Sequence, residues 1–328
     1  MNDQASNFPD LFKDDNLSAG GVVKAKGQVL MELGKSERRA PNMNCRIESF
    51  GRICQSFDEQ RQRWVREMGF GSLLNLVDVH LPRQLAYWLM TRIDPFGKVL
   101  RSPDGRLLKL FTNQVHWVLG IPNGGKEIPT WKNITKEMKE KVQWIQLKYR
   151  KSWETRVIKV GRVYTLNGIP VNSTILDRLE GSWQDDDEEE FKTVFLLVVL
   201  EMVLCPTHSP RLASDLIPTL SCAMVTMEYD GCELVLVKLL DSVVSFARRF
   251  YRKGYAGGCG GCLIFIVILY LDGLRRDPLR RGIFPRVKVW DMKHIWIASK
   301  EDRLETGGDF GKLGLLDVAY GEGHPKEA

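Results

Sequence analysis

Two runs of the chain are too apolar for a protein surface and too short for a bilayer. Phe191–Cys205 carries charge only at Lys192 and Glu201, and Cys262–Leu271 carries none. A membrane span needs roughly 20 apolar residues, so both runs read as helices buried in a protein interior. A helix apolar on every side has to be surrounded, and the cover must come from the rest of the 328 residues. That length allows one large domain or two small ones, and it buries enough surface to need no disulfide or metal staple. With 44% hydrophobic and 27% charged residues, the composition excludes collagen-like, mucin-like and wholly disordered chains. The opening MNDQASNFPDLFKDDNL has neither the basic nor the apolar region of a secretory signal. Seven scattered cysteines, an odd number, then read as reduced thiols of the cytosol or nucleus. The sequons at Asn133 and Asn172 read as chance matches.

Periodicity gives the organisation. Residues 1–55 show no sustained apolar period and are expected to form a loosely ordered leader. Order is expected from Ser56, which with Glu59 fits a capping box opening a helix to about Met68, closed by Gly69. Leu81-Pro82 opens a second helix with Leu85, Trp88 and Leu89 on one face, ending at Asp94-Pro95. Val99–Leu110 reads as a hairpin about Pro103-Asp104-Gly105, and Thr112 as the cap of a third helix stopped by Gly120 and Pro122. Ile134, Met138, Val142, Ile145, Tyr149 and Trp153 lie on one stripe of a long amphipathic helix. Two short strands, Val157–Val160 and Val163–Leu166, come next. Helices are expected over Ser173–Leu179, Glu188–Leu204, Ser209–Leu220, Cys232–Tyr251 and Cys262–Leu274. From Ala298 the chain turns glycine-rich, and 298–328 is expected to be a loosely ordered tail. The fold class is therefore mainly α, a multi-helix globular domain over 56–297 with one or two short β-hairpins. Gly69, Phe70, Gly71, Gly120, Pro122, Gly124 and Gly125 are expected to set the turns, and Trp64, Trp88 and Trp117 to supply core.

Chemical motifs are incomplete. Gly120–Lys126 has the spacing of a phosphate-binding loop, but Glu127 stands where a Ser or Thr belongs, and a helix precedes it where a strand should. It reads as a helix-ending turn. Cys259-Gly-Gly-Cys262 is half of a structural zinc motif; Cys205, His208, Cys222 and Cys232 are the other available ligands. The alternative is a flexible turn into a buried helix. His116, His208 and His294 sit in no local signature of a cysteine nucleophile. No catalytic residue and no cofactor is assigned. Asp185–Glu190, six acids in a row, reads as a solvated helix start facing the positive end of the dipole, or as a docking strip for a basic partner.

Basic surface is the stronger signal. Between Trp131 and Tyr164, ten Lys and Arg residues oppose Glu137, Glu140 and Glu154, interleaved with Trp144, Tyr149 and Trp153. A second cluster holds Arg275, Arg276, Arg280, Arg281, Arg286 and Lys288 against Asp277. Lys132, Lys136, Lys139, Lys148, Arg150, Lys151, Arg275, Arg276, Arg280 and Arg281 are the residues expected to meet phosphate if the chain binds nucleic acid. The alternative leaves Tyr149 and Trp153 on the core stripe, with the lysines as solvated cover.

Val65–Leu74, Leu85–Leu89, Asp94-Pro95, Val115–Gly125, Leu204-Cys-Pro206 and Gly261–Asp272, in that order, resemble transposon-associated proteins of plants, especially grasses. Those proteins carry a plant-mobile-domain-like region, often labelled aminotransferase-like, commonly upstream of a Ulp1-type cysteine protease domain. The resemblance covers roughly 58–295 and implies a mostly helical domain, nuclear residence and an origin in mobile elements. No protease region matches here, so protease activity is not carried over. The expected function is a non-catalytic interaction module with an unidentified protein partner and no membrane span. Nucleic-acid binding through 132–162 and 275–288 is the alternative, and a degenerate cysteine peptidase the second.

Overall fold

The computed structural model describes residues 29, 42–43, 45–150, 156–159, 162–165, 168–207, 210–253, 256–280, 282–306 and 308–316. It opens with β1 (Asn42–Met43) and α1 (Ile47–Gln55). This helix corrects the expected leader over 47–55, while nearly all of 1–44 lies outside the described residues. Ile47, Phe50, Ile53 and Cys54 form a buried face too short to show a period in sequence, so tertiary contacts supply what local pattern does not. The Phe50 ring lies 6.0 Å from that of Phe195, and Arg46 forms an ion pair with the buried Glu201.

α2 (Glu59–Glu67) follows. Its cap is Asp58, which accepts from the Arg61 amide at 2.9 Å, and not Ser56, whose hydroxyl donates to the Ile53 carbonyl of the preceding helix. α3 (Arg83–Met90) begins after Pro82 and buries Leu85 through Met90. It stops before Asp94, because Ile93–Asp94 is β2, which pairs with β3 (Val99–Arg101). β3 pairs with β4 (Leu107–Lys109) about the expected Pro103-Asp104-Gly105 turn.

α4 (Thr112–Leu119) ends at Gly120, whose φ of +66° is open to glycine at little cost. Thr112 does not cap it; its hydroxyl donates to Glu233 at 2.6 Å. α5 (Lys136–Arg150) buries Val142, Ile145 and Tyr149 on the expected stripe, while Trp153 lies outside the described residues. β5 (Arg156–Lys159) and β6 (Arg162–Thr165) form the expected antiparallel pair, and β7 (Ile169–Pro170) pairs with β8 (Arg211–Leu212).

α6 (Ser173–Glu180) is capped by Asn172, and α7 (Glu188–Val199) runs on into a π-turn at Leu200–Leu204. The helix expected over Ser209–Leu220 is instead a 3-10 run over Ser214–Glu228. Pro218 removes a donor inside that run, and Cys222 and Val225 leave helical angles. α8 (Gly231–Lys253), β9 (Gly258–Cys259), α9 (Leu263–Asp272) and α10 (Met292–Glu301) complete the elements, and β9 lies parallel to β1.

The continuous apolar cluster gathers aromatic rings in several places, and two of them surround the apolar runs. In the first, Phe191 of α7 lies 5.2 Å from Trp64, 5.3 Å from Trp183 and 5.6 Å from Phe57. In the second, Trp88 lies 5.7 Å from both Tyr270 of α9 and Phe310. Both apolar runs are therefore interior helices. Lys192 is tolerated there because its ammonium reaches Glu67 at 3.0 Å and Glu188. Among the described residues no helix is long and apolar enough to cross a membrane.

The expected loose tail from 298 is corrected as well. Asp302, fully buried, accepts from Tyr270 Oη at 2.6 Å and from the amides of Gly311 and Leu313 at 2.8 and 3.0 Å. Phe310 and Leu315 join the core. Glycine-rich sequence hides this segment because carboxylates, backbone hydrogen bonds to the turn after α9 and two isolated apolar residues, rather than an apolar period, fasten it. Residues 317–328 lie outside the described residues.

Candidate interaction groove

The glycine-rich turn after α4 is used up structurally. The amides of Gly124 and Lys126 donate to the carbonyls of Tyr229 and Glu228, each at 2.9 Å. A Cβ at Gly124 would stand 2.3 Å from the Glu228 carbonyl carbon. The Lys126 ammonium pairs with the Glu228 carboxylate. Amides that would cradle a phosphate thus hold the start of α8 in place, as the helix-ending reading expects. Nothing lies within 4 Å of a Cβ built at Gly125, so that glycine does not set the turn. His116 Nδ1 lies 2.8 Å from the Ile121 carbonyl, and His294 packs on its own N-cap Asp291.

All seven thiols are buried. Burial pushes those of Cys45, Cys54, Cys205 and Cys222 up to about 12, and drives Cys232, Cys259 and Cys262 higher still. Such burial favours the thiol, whereas nucleophilic attack uses the thiolate. Cys259 sits in β9, its sulfur 3.9 Å from Met43 Sδ, and Cys262 precedes α9. Among the described residues no three His, Cys, Asp or Glu side chains gather as a metal site, and His208 lies outside them.

The acidic run meets a basic partner within its own fold. Lys141 reaches Glu189 at 2.5 Å and Lys148 reaches Glu190 at 2.8 Å, both from α5. Arg178 of α6 approaches Glu190 at 3.4 Å, and Tyr149 Oη donates to it at 3.0 Å. Burial alone would raise the Glu190 carboxyl, but hydrogen bonds from Lys148, Arg178 and Tyr149 outweigh it and hold the group below the usual range. The run is thus the start of α7 and also the seam to α5.

That seam leaves a groove of about 370 Å³. α5 contributes Trp144 and Ile145, the acidic run Asp186, Asp187, Glu189 and Glu190, and the 3-10 run Leu220 and Ala223. Trp144 stays 47% exposed, with Lys148 Nζ 4.9 Å from its ring centre, and Leu147 one turn on is 73% exposed. Met224 and Val225, next to the groove's Ala223, are also exposed. Sequence reasoning found the acids and lysines but not the groove. Its third wall is a 3-10 run with no periodic signature; only Trp144, off the core stripe at a spacing of two from Val142, hinted at it.

The sequence-derived basic residues separate into groups. Lys132, Lys136 and Lys139 are exposed. Lys148 is committed to Glu190 and Trp144. The side chain of Arg150, and Lys151 and Arg281 entirely, lie outside the described residues. Arg275 Nε donates to the Leu315 carbonyl at 2.9 Å and Arg276 pairs with Glu301 at 3.1 Å. Arg280, exposed, lends its backbone carbonyl to Arg286. Arg286 itself is buried against Asp272 at 2.7 Å, which corrects its place in a phosphate-facing cluster.

Residues 43–267 match the model of a family described as a domain of unknown function (DUF8566). No curated protein and no solved structure matches the chain.

Proposed function

The chain belongs to the DUF8566 family, and from that footing we propose that it acts as a non-catalytic protein-interaction module. The observation that carries this reading is the exposed apolar surface around the α5 groove, where Trp144, Leu147, Met224 and Val225 all face solvent. Exposed apolar groups gathered beside a charged rim are the usual makeup of a docking surface. The protonated, buried thiols and the internally paired acids support a binding role over a chemical one. Nuclear residence and a mobile-element origin, implied by the resemblance, belong to the same proposal.

Selection of ligands from a displayed peptide library, repeated with Trp144→Ala and Leu147→Asp together, tests it. Ligands retained by the native chain and lost by the double variant are expected. Failure to select any ligand with folded protein, or equal selection by the variant, would refute the reading.

Nucleic-acid binding stands as a second reading, favoured by the exposure of Lys132, Lys136 and Lys139 on α5 and the loop before it. A gel shift should then weaken steeply with salt, and Glu at these three positions should flatten that dependence. No shift at low salt removes it.

A further inference from the structure

The groove deepens the interaction reading, on which this inference rests, because its walls specify a ligand chemistry. Asp186, Asp187, Glu189 and Glu190 line it beside Lys141, while Lys148 and Arg178 pair with Glu190 and Arg178 also approaches Asp187, so four carboxylates meet three cations. No ion pair engages Asp186 among the described residues. The Trp144 indole and the aliphatic side chains of Ile145, Leu220 and Ala223 share the lining with these acids, together with Thr193 and Ser221.

The chain already shows which group suits such walls. Lys148 Nζ sits between the Glu190 carboxylate at 2.8 Å and the Trp144 ring at 4.9 Å, and Lys141 holds Glu189 at 2.5 Å. Both lysines and Glu189 are well exposed, and exposed ion pairs contribute little net stability. An incoming cation can therefore exchange with Lys141 at small cost, whereas Lys148 is held by the part-buried Glu190. A cation over an indole is favourable, more so with carboxylates alongside. The volume of about 370 Å³ lies at the lower end of ligand pockets, suited to one or two side chains and not to a folded surface. Leu147, 73% exposed beside Trp144, offers contact to an apolar neighbour in the same ligand. The acidic lip repels phosphate, so nucleic acid does not fit here.

We infer that the groove binds a basic peptide segment, placing a lysine or arginine side chain between Trp144 and the carboxylates of Asp186 and Glu189, with an apolar residue of the segment on Leu147.

Fluorescence anisotropy with a short labelled peptide alternating arginine and leucine tests this, beside a matched peptide with glutamate for each arginine and a labelled DNA duplex. The basic peptide should bind the full chain, weaken as salt rises, and lose roughly five- to tenfold with Trp144→Ala. Trp144→Phe should recover part of that loss, Asp186→Asn should weaken binding several-fold, and Lys132→Ala should leave it unchanged. Trp144 is half-exposed, and a circular dichroism melt verifies that each variant folds. Equal binding of the acidic peptide, no binding of the basic one, indifference to Trp144→Ala, or DNA competing at Trp144 would each overturn the inference. Library ligands that depend on Trp144 yet carry no basic residue would overturn the assigned chemistry while leaving the interaction module standing.

Discussion

Asp272 accepts two hydrogen bonds from Arg286, at 2.7 and 2.9 Å, and a third from Trp290 Nε1 at 2.9 Å. Arg286 spends its remaining donors on the carbonyls of Leu279, Arg280 and Ile283. Removing one partner of a buried pair strands the other, so Arg286→Ala should cost about 3–5 kcal/mol. Exposed Lys288→Ala should stay within about 0.5 kcal/mol, and urea unfolding measures both. Glu190 gives a pH dependence. Its carboxyl is held below the usual range in the fold, so its stabilisation is complete above the unfolded glutamate value of about 4.3 and is lost as pH falls through the lowered value. The melting-temperature advantage of the native chain over Glu190→Gln should be present at neutral pH and fade below about pH 4. A thiol reagent should find none of the seven cysteines in the native chain at neutral pH and all of them after denaturation. At this scale the sequence was least legible. Arg286 and Arg280 look alike in a string of basic residues, and only the arrival of Asp272 beside one of them separates a core pair from solvated cover.

Elements were more legible wherever periodicity or a stop signal determined them. α3, α4, α6, α8 and the two short hairpins fall close to where spacing and turn residues put them. Misses occurred where tertiary contact outweighs local pattern. Asp58 displaces Ser56 as a cap, and Pro218 breaks the helical run after β8 into 3-10 turns. α1 exists because it crosses the chain at Leu76. A Cβ on Gly51 would stand 2.3 Å from the Leu76 carbonyl oxygen, so the helix can lie this close only with glycine there. Although alanine favours helices by up to about 1 kcal/mol over glycine, Gly51→Ala should destabilise by about 1–3 kcal/mol through overpacking. Chemical denaturation gives the sign. A gain in stability would show that α1 is not seated against Leu76.

For the whole molecule, the family match ends at 267 but the ordered chain does not. Tyr270, Trp290, Ile295 and Phe310 all lie in the continuous core beyond that point. A fragment ending at 267 should therefore fail to unfold cooperatively and should expose Trp88 to quenchers, whereas the full chain should melt in one transition. Calorimetry on the fragment and the full chain decides this.

The parallel bridge of β1 on β9 joins Asn42 to Gly258, and Arg46 reaches forward to Glu201. Contacts so distant along the chain close late, after most of the loop entropy has been lost. During synthesis α1 therefore emerges from the ribosome with most of its apolar face bare. Leu76 follows soon, but Phe195 and Glu201 arrive only about 150 residues later, an interval in which a chaperone that covers Ile47, Phe50 and Ile53 has the most to protect.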